Sequence, residues 1–150
     1  MTPAYWIASG FGIGRFPVAP GTAASLVAAL TGAAALLVDV HLLIWLSIVA
    51  TLGGLWAVHA TKAKDDPGWI VIDEFAGQWI AMLGLTKIGV TGVIAAFALF
   101  RLFDILKPGP VGWADRKKGA FGVMADDVIA GLIVAAILYG ATNLYPRLHS

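Results

Sequence analysis

Long stretches without a charged side chain constrain the fold of this 150-residue chain more than any other feature. Residues 23–38, 42–58 and 128–146 contain no Asp, Glu, Lys or Arg, and residues 75–100 contain one, Lys87. A helix needs about 20 apolar residues to cross about 30 Å of hydrocarbon. The runs have the length of such helices or fall slightly short of it, and they lack the apolar–polar alternation of a transmembrane barrel. The sequence therefore predicts membrane-spanning helices.

Composition also indicates a membrane protein and excludes several functions. Hydrophobic residues make up 59% of the chain and charged residues 13%, whereas soluble domains have about 45–50% and about 25%. The net charge of +1 provides no basic surface, so we expect no nucleic-acid partner. The absence of cysteine excludes disulfides and thiol nucleophiles. We predict one domain over residues 1–150, an all-α integral membrane bundle.

The apolar runs predict about five helices, near residues 23–38, 42–58, 70–86, 88–107 and 126–145. The segment 75–100 is open to two interpretations, a single span or a helical hairpin that turns near Lys87. We favour the hairpin, because a lysine at the bilayer centre costs about 2.5–3.5 kcal/mol on insertion scales. Glycines on both sides of Lys87 are typical of a turn.

This topology places eight of the ten basic residues on one side of the membrane. They are Arg15, Lys62, Lys64, Arg101, Lys107, Arg116, Lys117 and Lys118. The other side has Lys87 and Arg147. The excess of Lys and Arg in cytoplasmic segments assigns the eight to the cytoplasm. The polar motifs share that side, which indicates a multi-pass protein with its site at the cytoplasmic rim.

Two helix starts carry paired carboxylates, Asp73-Glu74 and Asp126-Asp127. The pattern Asp-x-x-Ala-Gly occurs at residues 73–77 and again at 127–131, so each acid has a glycine one turn deeper on the same face. If the two glycine faces meet, Asp73 and Asp127 face each other and need a cation between them. Hard divalent cations prefer oxygen ligands, which points to Mg²⁺. The simpler alternative is that acids favour helix N-termini.

Two further segments carry groups suited to phosphate. One apolar helix ends with Arg101, Asp104 and Lys107. Either the two cations bind an anion while Asp104 orients them or binds metal, or the three residues form a local ion pair. The segment Gly10–Ser25 combines four glycines with Arg15, Thr22 and Ser25. Glycine-rich turns and helix N-termini bind phosphate through backbone N–H groups, although an irregular loop followed by a capped helix explains the same residues.

Together these motifs resemble the phosphatidylglycerophosphatase A family. The similarity lies in Gly10–Ser25, Ile70–Trp79, Phe100–Pro110 and Asp115–Gly131, in the same order and spacing across roughly residues 8–140. The resemblance implies an all-helical, Mg²⁺-dependent phosphatase of the bacterial inner membrane. Its lipid substrate would be phosphatidylglycerophosphate, which loses its terminal phosphate. The family's motif acids correspond to Asp73, Glu74, Asp104, Asp126 and Asp127.

We therefore expect Asp73, Glu74, Asp126 and Asp127 to hold one or two Mg²⁺ ions, with Asp73, Glu74, Asp104 and Asp127 in catalytic roles. Arg101, Lys107, Arg15, Thr22 and Ser25 are the expected phosphate-binding residues. Two other classes remain open: a non-catalytic membrane subunit whose acids pair with a partner, and a carrier of divalent cations or protons. A carrier would place its acids near the bilayer midplane rather than at helix ends on one side.

Overall fold

The computed structural model describes the backbone of residues 1–148 and the side chains of residues 1–144, so the side chain of Arg147 lies outside the described part. Within those residues the chain forms α-helices and no strand. The helices are α1 (Pro3–Ala8), α2 (Pro20–Val38), α3 (Val40–Thr61), α4 (Ile72–Met82), α5 (Val90–Leu106), α6 (Pro110–Asp115) and α7 (Gly119–Leu148). A 3₁₀ turn at Ile13–Arg15 lies between α1 and α2. The predicted all-helical fold is confirmed; the short helices α1 and α6 were not predicted.

Three of the described helices are long and apolar enough to cross a membrane: α2, α3 and the part of α7 at Gly119–Leu144. Large apolar side chains such as Leu37, Trp45 and Leu52 lie exposed on α2 and α3, as expected for surfaces that face lipid. The sequence-based prediction of a helical membrane bundle is confirmed.

The connection between α2 and α3 is a single residue, Asp39. Its Oδ1 accepts a hydrogen bond of 2.9 Å from the backbone N–H of His41, which caps the N-terminus of α3. The two helices therefore form a tight antiparallel hairpin. Asp39, the charged residue between the two helices, is thus explained by its capping role and indicates no functional site.

Helices α4 and α5 form the predicted hairpin with Lys87 in its exposed connection, so the alternative of one continuous span is wrong. The first arm is shorter than predicted, because α4 ends at Met82 rather than near residue 86. Its 11 residues extend about 16 Å, half of a bilayer core. Nonhelical backbone follows at residues 83–89, where Gly84 packs against the backbone of Ala135 on α7. Protein thus covers this backbone at Gly84, as nonhelical backbone at membrane depth requires, whereas residues 86–89 are exposed.

Helix α4 is the centre of the bundle, packed against α2, α3, α5 and α7. Most of its residues are buried, including the polar Asp73 and Gln78. The indole Nε1 of Trp79 donates a hydrogen bond of 2.9 Å to the carbonyl of Ala28 and fixes α4 against α2. The helix that carries the first pair of acids is therefore an interior element, enclosed by its neighbours.

Helix α7 begins at Gly119, seven residues before the predicted start, which is a correction to the sequence analysis. Asp126 and Asp127 thus lie about two turns inside a helix rather than at its mouth. The extra turns contain Ala120, Val123 and Met124, whose side chains pack into the core beside α4. Burial of these apolar residues extends the helix beyond the charge-free run on which the prediction rested.

The backbones of α4 and α7 touch through the glycines of the repeated pattern. A Cβ at Gly77 would lie 2.6 Å from the carbonyl oxygen of Asp127, and a Cβ at Gly131 would clash with the carbonyl of Gly77. The expectation that the two glycine faces meet is confirmed. This approach brings Asp73 and Asp127, one turn above the glycines, to the same level of the bundle.

Candidate active site

Five carboxylates from three helices converge at the start of α4. Asp73, Asp126 and Asp127 each have an oxygen within 4.8 Å of the others, and Glu74, Asp104 and Asp127 form a second group with the same spacing. Asp127 belongs to both groups, so the two are continuous. We call these five residues the carboxylate cluster: Asp73, Glu74, Asp104, Asp126 and Asp127.

Several oxygens of the carboxylate cluster are buried without a hydrogen-bond partner among the described residues. They are Oδ1 of Asp73, Oε2 of Glu74 and both oxygens of Asp127. Asp73 is 4% exposed and Asp127 1%. Because an isolated buried carboxylate is costly, oxygens in this state require a cation or protons between them. The donor set, all oxygen, fits Mg²⁺.

Asp126 differs from Asp127 although the two are adjacent. Its Oδ2 accepts a 2.7 Å hydrogen bond from Nζ of Lys107, and its Oδ1 accepts one of 2.9 Å from the backbone N–H of Asp127. Both oxygens are therefore already partnered. Of the two neighbours, Asp127 is the better placed to bind an ion directly, and Asp126 links the carboxylate cluster to Lys107.

Two cations, one on α5 and one at its C-cap, border the carboxylate cluster. Arg101 forms an ion pair with Asp104, as the sequence predicted, and both side chains are largely buried. Lys107 also lies 3.5 Å from Asp104 and 3.3 Å from Asp115. Burial disfavours the charged ammonium, but the hydrogen bond to Asp126 and the surrounding carboxylates outweigh it, so the pKa of Lys107 is raised. Five carboxylates and two cations leave an excess of negative charge, which a divalent cation would balance.

A cleft of about 500 Å³ lies between the α3–α4 connection and the start of α7. Lys64, Asp66 and Asp115 line it together with the basic run at residues 116–118. Asp115 connects it to the carboxylate cluster through Lys107. Asp66 keeps an exposed surface, yet desolvation raises its pKa to about 6; Lys107 opposes this shift, and Asp104 and Asp115 add to it. The carboxylate cluster therefore has a polar cleft beside it.

Comparison with known proteins identifies the family of this chain. The sequence model of the family described as phosphatidylglycerophosphatase A matches residues 6–142. The chain belongs to the phosphatidylglycerophosphatase A family. The prediction that it is an enzyme, a phosphatase, is confirmed by this membership. No solved structure matches the chain.

Individual relatives of the phosphatidylglycerophosphatase A family cover most of the sequence. A phosphatidylglycerophosphatase A from Escherichia coli is 40% identical, over 96% of this chain and 86% of its own length. One from Haemophilus influenzae is 36% identical, over 93% and 88% respectively. A protein from Bacteroides thetaiotaomicron called a putative phosphatidylinositol-3-phosphatase is 42% identical, over 84% and 85%. The chain is therefore similar to lipid phosphatases over nearly its whole length.

Of the two interpretations of Gly10–Ser25, the hydrogen bonds of its glycines favour an irregular loop over a phosphate-binding turn. The N–H groups of Gly10, Gly12 and Gly14 donate to Ile7, to the Ser9 hydroxyl and to the Ser9 carbonyl, so they are not open to a phosphate. Gly14 instead packs against the backbone of Trp69. These glycines serve close packing of the loop on the bundle.

The capped helix that was expected after this loop is not observed: α2 starts at Pro20 after Ala19, which makes no side-chain cap, so Thr22 and Ser25 lie within the helix. Thr22 and Arg15 are exposed, and Arg15 forms no ion pair within the described residues. Ser25 is buried, and its hydroxyl has no partner there. Of the three predicted phosphate ligands in this segment, Ser25 alone combines burial with an unused polar atom.

The site role of Gln78 was not predicted, and Gly21 was expected only as one glycine of the phosphate segment. Gln78, one turn below Glu74, is fully buried, and neither atom of its amide has a partner in the described part of the chain. Gly21 lies against the site: a Cβ there would be 2.5 Å from Oε1 of Glu74 and 3.6 Å from Nη1 of Arg101. A glutamine inside an apolar helix was the available signal for the first. The close approach of α2 to Glu74 has no signature in a single sequence.

Proposed function

We propose that this protein hydrolyses phosphatidylglycerophosphate to phosphatidylglycerol and inorganic phosphate, and that it requires Mg²⁺. The observation that carries the proposal is Asp127, a buried carboxylate with two unpartnered oxygens that belongs to both groups of acids. Membership of the phosphatidylglycerophosphatase A family supports the substrate. The names of the E. coli and H. influenzae relatives agree with it.

Asp127, Asp73 and Glu74 are the residues we expect to hold the ion, and Asp104 and Asp126 complete the two groups. Two groups that share Asp127 would accommodate two ions side by side, as in other sites of phosphoryl transfer. Bound Mg²⁺ would supply charge neutralisation at the phosphoryl oxygens and a water of lowered pKa.

The two cations would bind and orient the phosphate. Arg101 is held on one edge by Asp104, while its Nε has no partner among the described residues and is free to donate to a phosphoryl oxygen. Lys107, fixed by Asp126, adds a point charge toward the cleft. Water attacks the phosphorus, the bond to the glycerol oxygen breaks, and a proton restores the glycerol hydroxyl. These groups are already in place to stabilise the negative charge that develops on the phosphoryl oxygens.

Release of inorganic phosphate from phosphatidylglycerophosphate in detergent micelles tests the proposal. We expect turnover with Mg²⁺, loss of turnover with EDTA and recovery when Mg²⁺ is restored. A parallel assay with phosphatidylinositol 3-phosphate, the class named for the Bacteroides relative, measures the breadth of specificity. Purified, folded protein that releases no phosphate from either lipid at any Mg²⁺ concentration would favour the non-catalytic or carrier alternatives.

Arg101→Lys should harm activity more than Lys107→Arg. Arginine presents two parallel N–H groups to Asp104 and phosphate, and lysine cannot reproduce this fork. Lys107 acts as a point charge among three carboxylates, and arginine retains that charge. We expect kcat/KM to fall by about 10-fold to 100-fold for Arg101→Lys, the loss of one hydrogen bond to a charged group. Equal losses for the two variants would contradict the distinction.

A double variant separates phosphate binding from a purely structural ion pair. If Arg101 only neutralises Asp104, Arg101→Ala combined with Asp104→Ala should recover activity that the single variants lose. If Arg101 binds the transferred phosphoryl group, the double variant stays inactive. Full turnover in the double variant would remove Arg101 from the proposed site.

We further propose that the protein lies in the bacterial inner membrane with the carboxylate cluster facing the cytoplasm. The asymmetry of basic residues supports this orientation. In a chain without cysteine, Lys87→Cys should react with an impermeant thiol reagent from the outer side, whereas Lys62→Cys and Lys117→Cys should react only after permeabilisation. The reverse pattern would invert the topology.

A further inference from the structure

An apolar groove of about 480 Å³ runs between α2 and α5 on the outside of the bundle. Its walls are large apolar side chains from both helices, and its floor includes the small residues Ala29 and Ala33. The walls are formed chiefly by Leu26, Leu30, Leu37, Val90, Val93 and Phe97. Leu30 and Val90 are exposed, so the groove opens sideways, toward the surface that faces lipid.

One end of the groove, at Leu26 and Phe97, lies about one helical turn from the polar groups of the site. On α2, Gly21 lies five residues before Leu26, and on α5, Arg101 lies one turn after Phe97. Gly21 and Arg101 come together beside Glu74, where a Cβ on Gly21 would approach both side chains. The same two helices that wall the groove therefore carry the polar groups beyond its cytoplasmic end.

The dimensions of the groove suit a hydrocarbon chain. From Leu26 to Leu37 the axis of α2 rises about 16 Å. Its walls and floor contain no charged side chain. An apolar groove with a cation and carboxylates about one turn beyond one end has the same order of apolar and polar groups as a phospholipid, with the tail followed by the phosphate. A neighbouring helix would also fit the apolar walls, but it would not explain the polar residues that lie next to one end of the groove.

We propose that this groove binds one acyl chain of the phospholipid substrate and thereby delivers its phosphate to the carboxylate cluster from within the bilayer. The proposal rests on the proposed function for the identity of the head group. It predicts that substrate affinity depends on filling the groove with hydrocarbon, whereas the chemistry at the phosphate does not.

The first test blocks the groove with Ala33→Phe and uses Ala34→Phe, an exposed neighbour outside the groove, as the matched control. We expect Ala33→Phe to raise KM for a long-chain phosphatidylglycerophosphate by about 10-fold with little change in kcat, as for a lost apolar pocket contact. Turnover of the water-soluble, deacylated head group should equal that of the wild type. Equal KM values for the two variants, or equal losses on both substrates, would overturn the proposal.

The second test is independent of catalysis. Phosphatidylglycerophosphate with a photoreactive group in mid-chain is compared, in the wild-type protein, with phosphatidylcholine that carries the same chain. We expect the phosphomonoester lipid to label peptides that contain Leu30 and Val93, and Ala33→Phe to abolish this labelling. Equal labelling by phosphatidylcholine would mean general lipid contact, and a dimer that Ala33→Phe dissociates would mean a second copy; either result overturns the proposal. If the protein labels as expected but releases no phosphate, the proposed function fails and the groove assignment stands.

Discussion

Asp127→Asn is expected to abolish phosphate release while the helices persist. The substitution keeps the shape of the side chain and removes its charge from the point where both groups of acids meet. We expect turnover to fall by about 100-fold to 1,000-fold, which is typical for the loss of one charge-stabilising group in a catalytic site. Phosphate release at saturating substrate, over a range of Mg²⁺ concentrations, measures the effect.

Thermal unfolding gives a second readout for the same variant. A ligand that binds the native state alone raises the unfolding temperature, so Mg²⁺ should stabilise the wild type and have little effect on Asp127→Asn. Asp39→Asn at the α2–α3 connection is the matched control, since asparagine also caps a helix. Near-normal turnover of Asp127→Asn at subsaturating Mg²⁺ would remove this residue from the metal site.

Gly131→Ala should destabilise the protein and inactivate it together. In an open helix position alanine is favoured over glycine by about 1 kcal/mol. At Gly131 the added Cβ would clash with the carbonyl of Gly77, and the backbones of α4 and α7 must separate. We expect a net loss of about 1–3 kcal/mol in the free energy of unfolding, as for overpacked cores. Because Asp73 and Asp127 move apart with the helices, kcat should fall by about 100-fold, the effect of an ångström of misplacement.

Gly140→Ala in the same helix is the control for that experiment. A Cβ at Gly140 meets no atom of the described residues within 4 Å, so the helix propensity of alanine should dominate and the stability should rise slightly or stay unchanged. Denaturation midpoints in one detergent compare the variants. If Gly131→Ala is as stable and active as Gly140→Ala, the close contact between α4 and α7 does not position the carboxylates.

Features set by local sequence were predictable. The absence of charge defines α2 and α3 to within a few residues, and Lys87 indicates the hairpin because a lysine is costly inside a membrane. The repeated Asp-x-x-Ala-Gly pattern identified the contact between α4 and α7, since glycines on one face permit close packing and place the acids above them.

Features set by tertiary packing were not predictable. Helix α7 extends back to Gly119 because Val123 and Met124 pack into the core, which the charge-free run could not indicate. The glycines at positions 10–14 fitted either a phosphate-binding turn or an irregular loop, and only the structure shows that their N–H groups form hydrogen bonds within the loop. The hydrogen bond between Lys107 and Asp126 joins the C-cap of α5 to α7, and one sequence does not indicate which acid Lys107 neutralises.

The interior position of α4 sets the order in which this protein can assemble. Helices α2 and α3 precede α4 along the chain, but α7, which supplies Asp126, Asp127 and the surface against Gly77, is synthesised last of the described helices. Until it arrives, a short helix with two acids lacks its main neighbour and is a poor candidate for stable insertion by itself. We therefore expect membrane insertion of the early hairpin to precede formation of the carboxylate cluster, whose acids come together only after α7 has been synthesised.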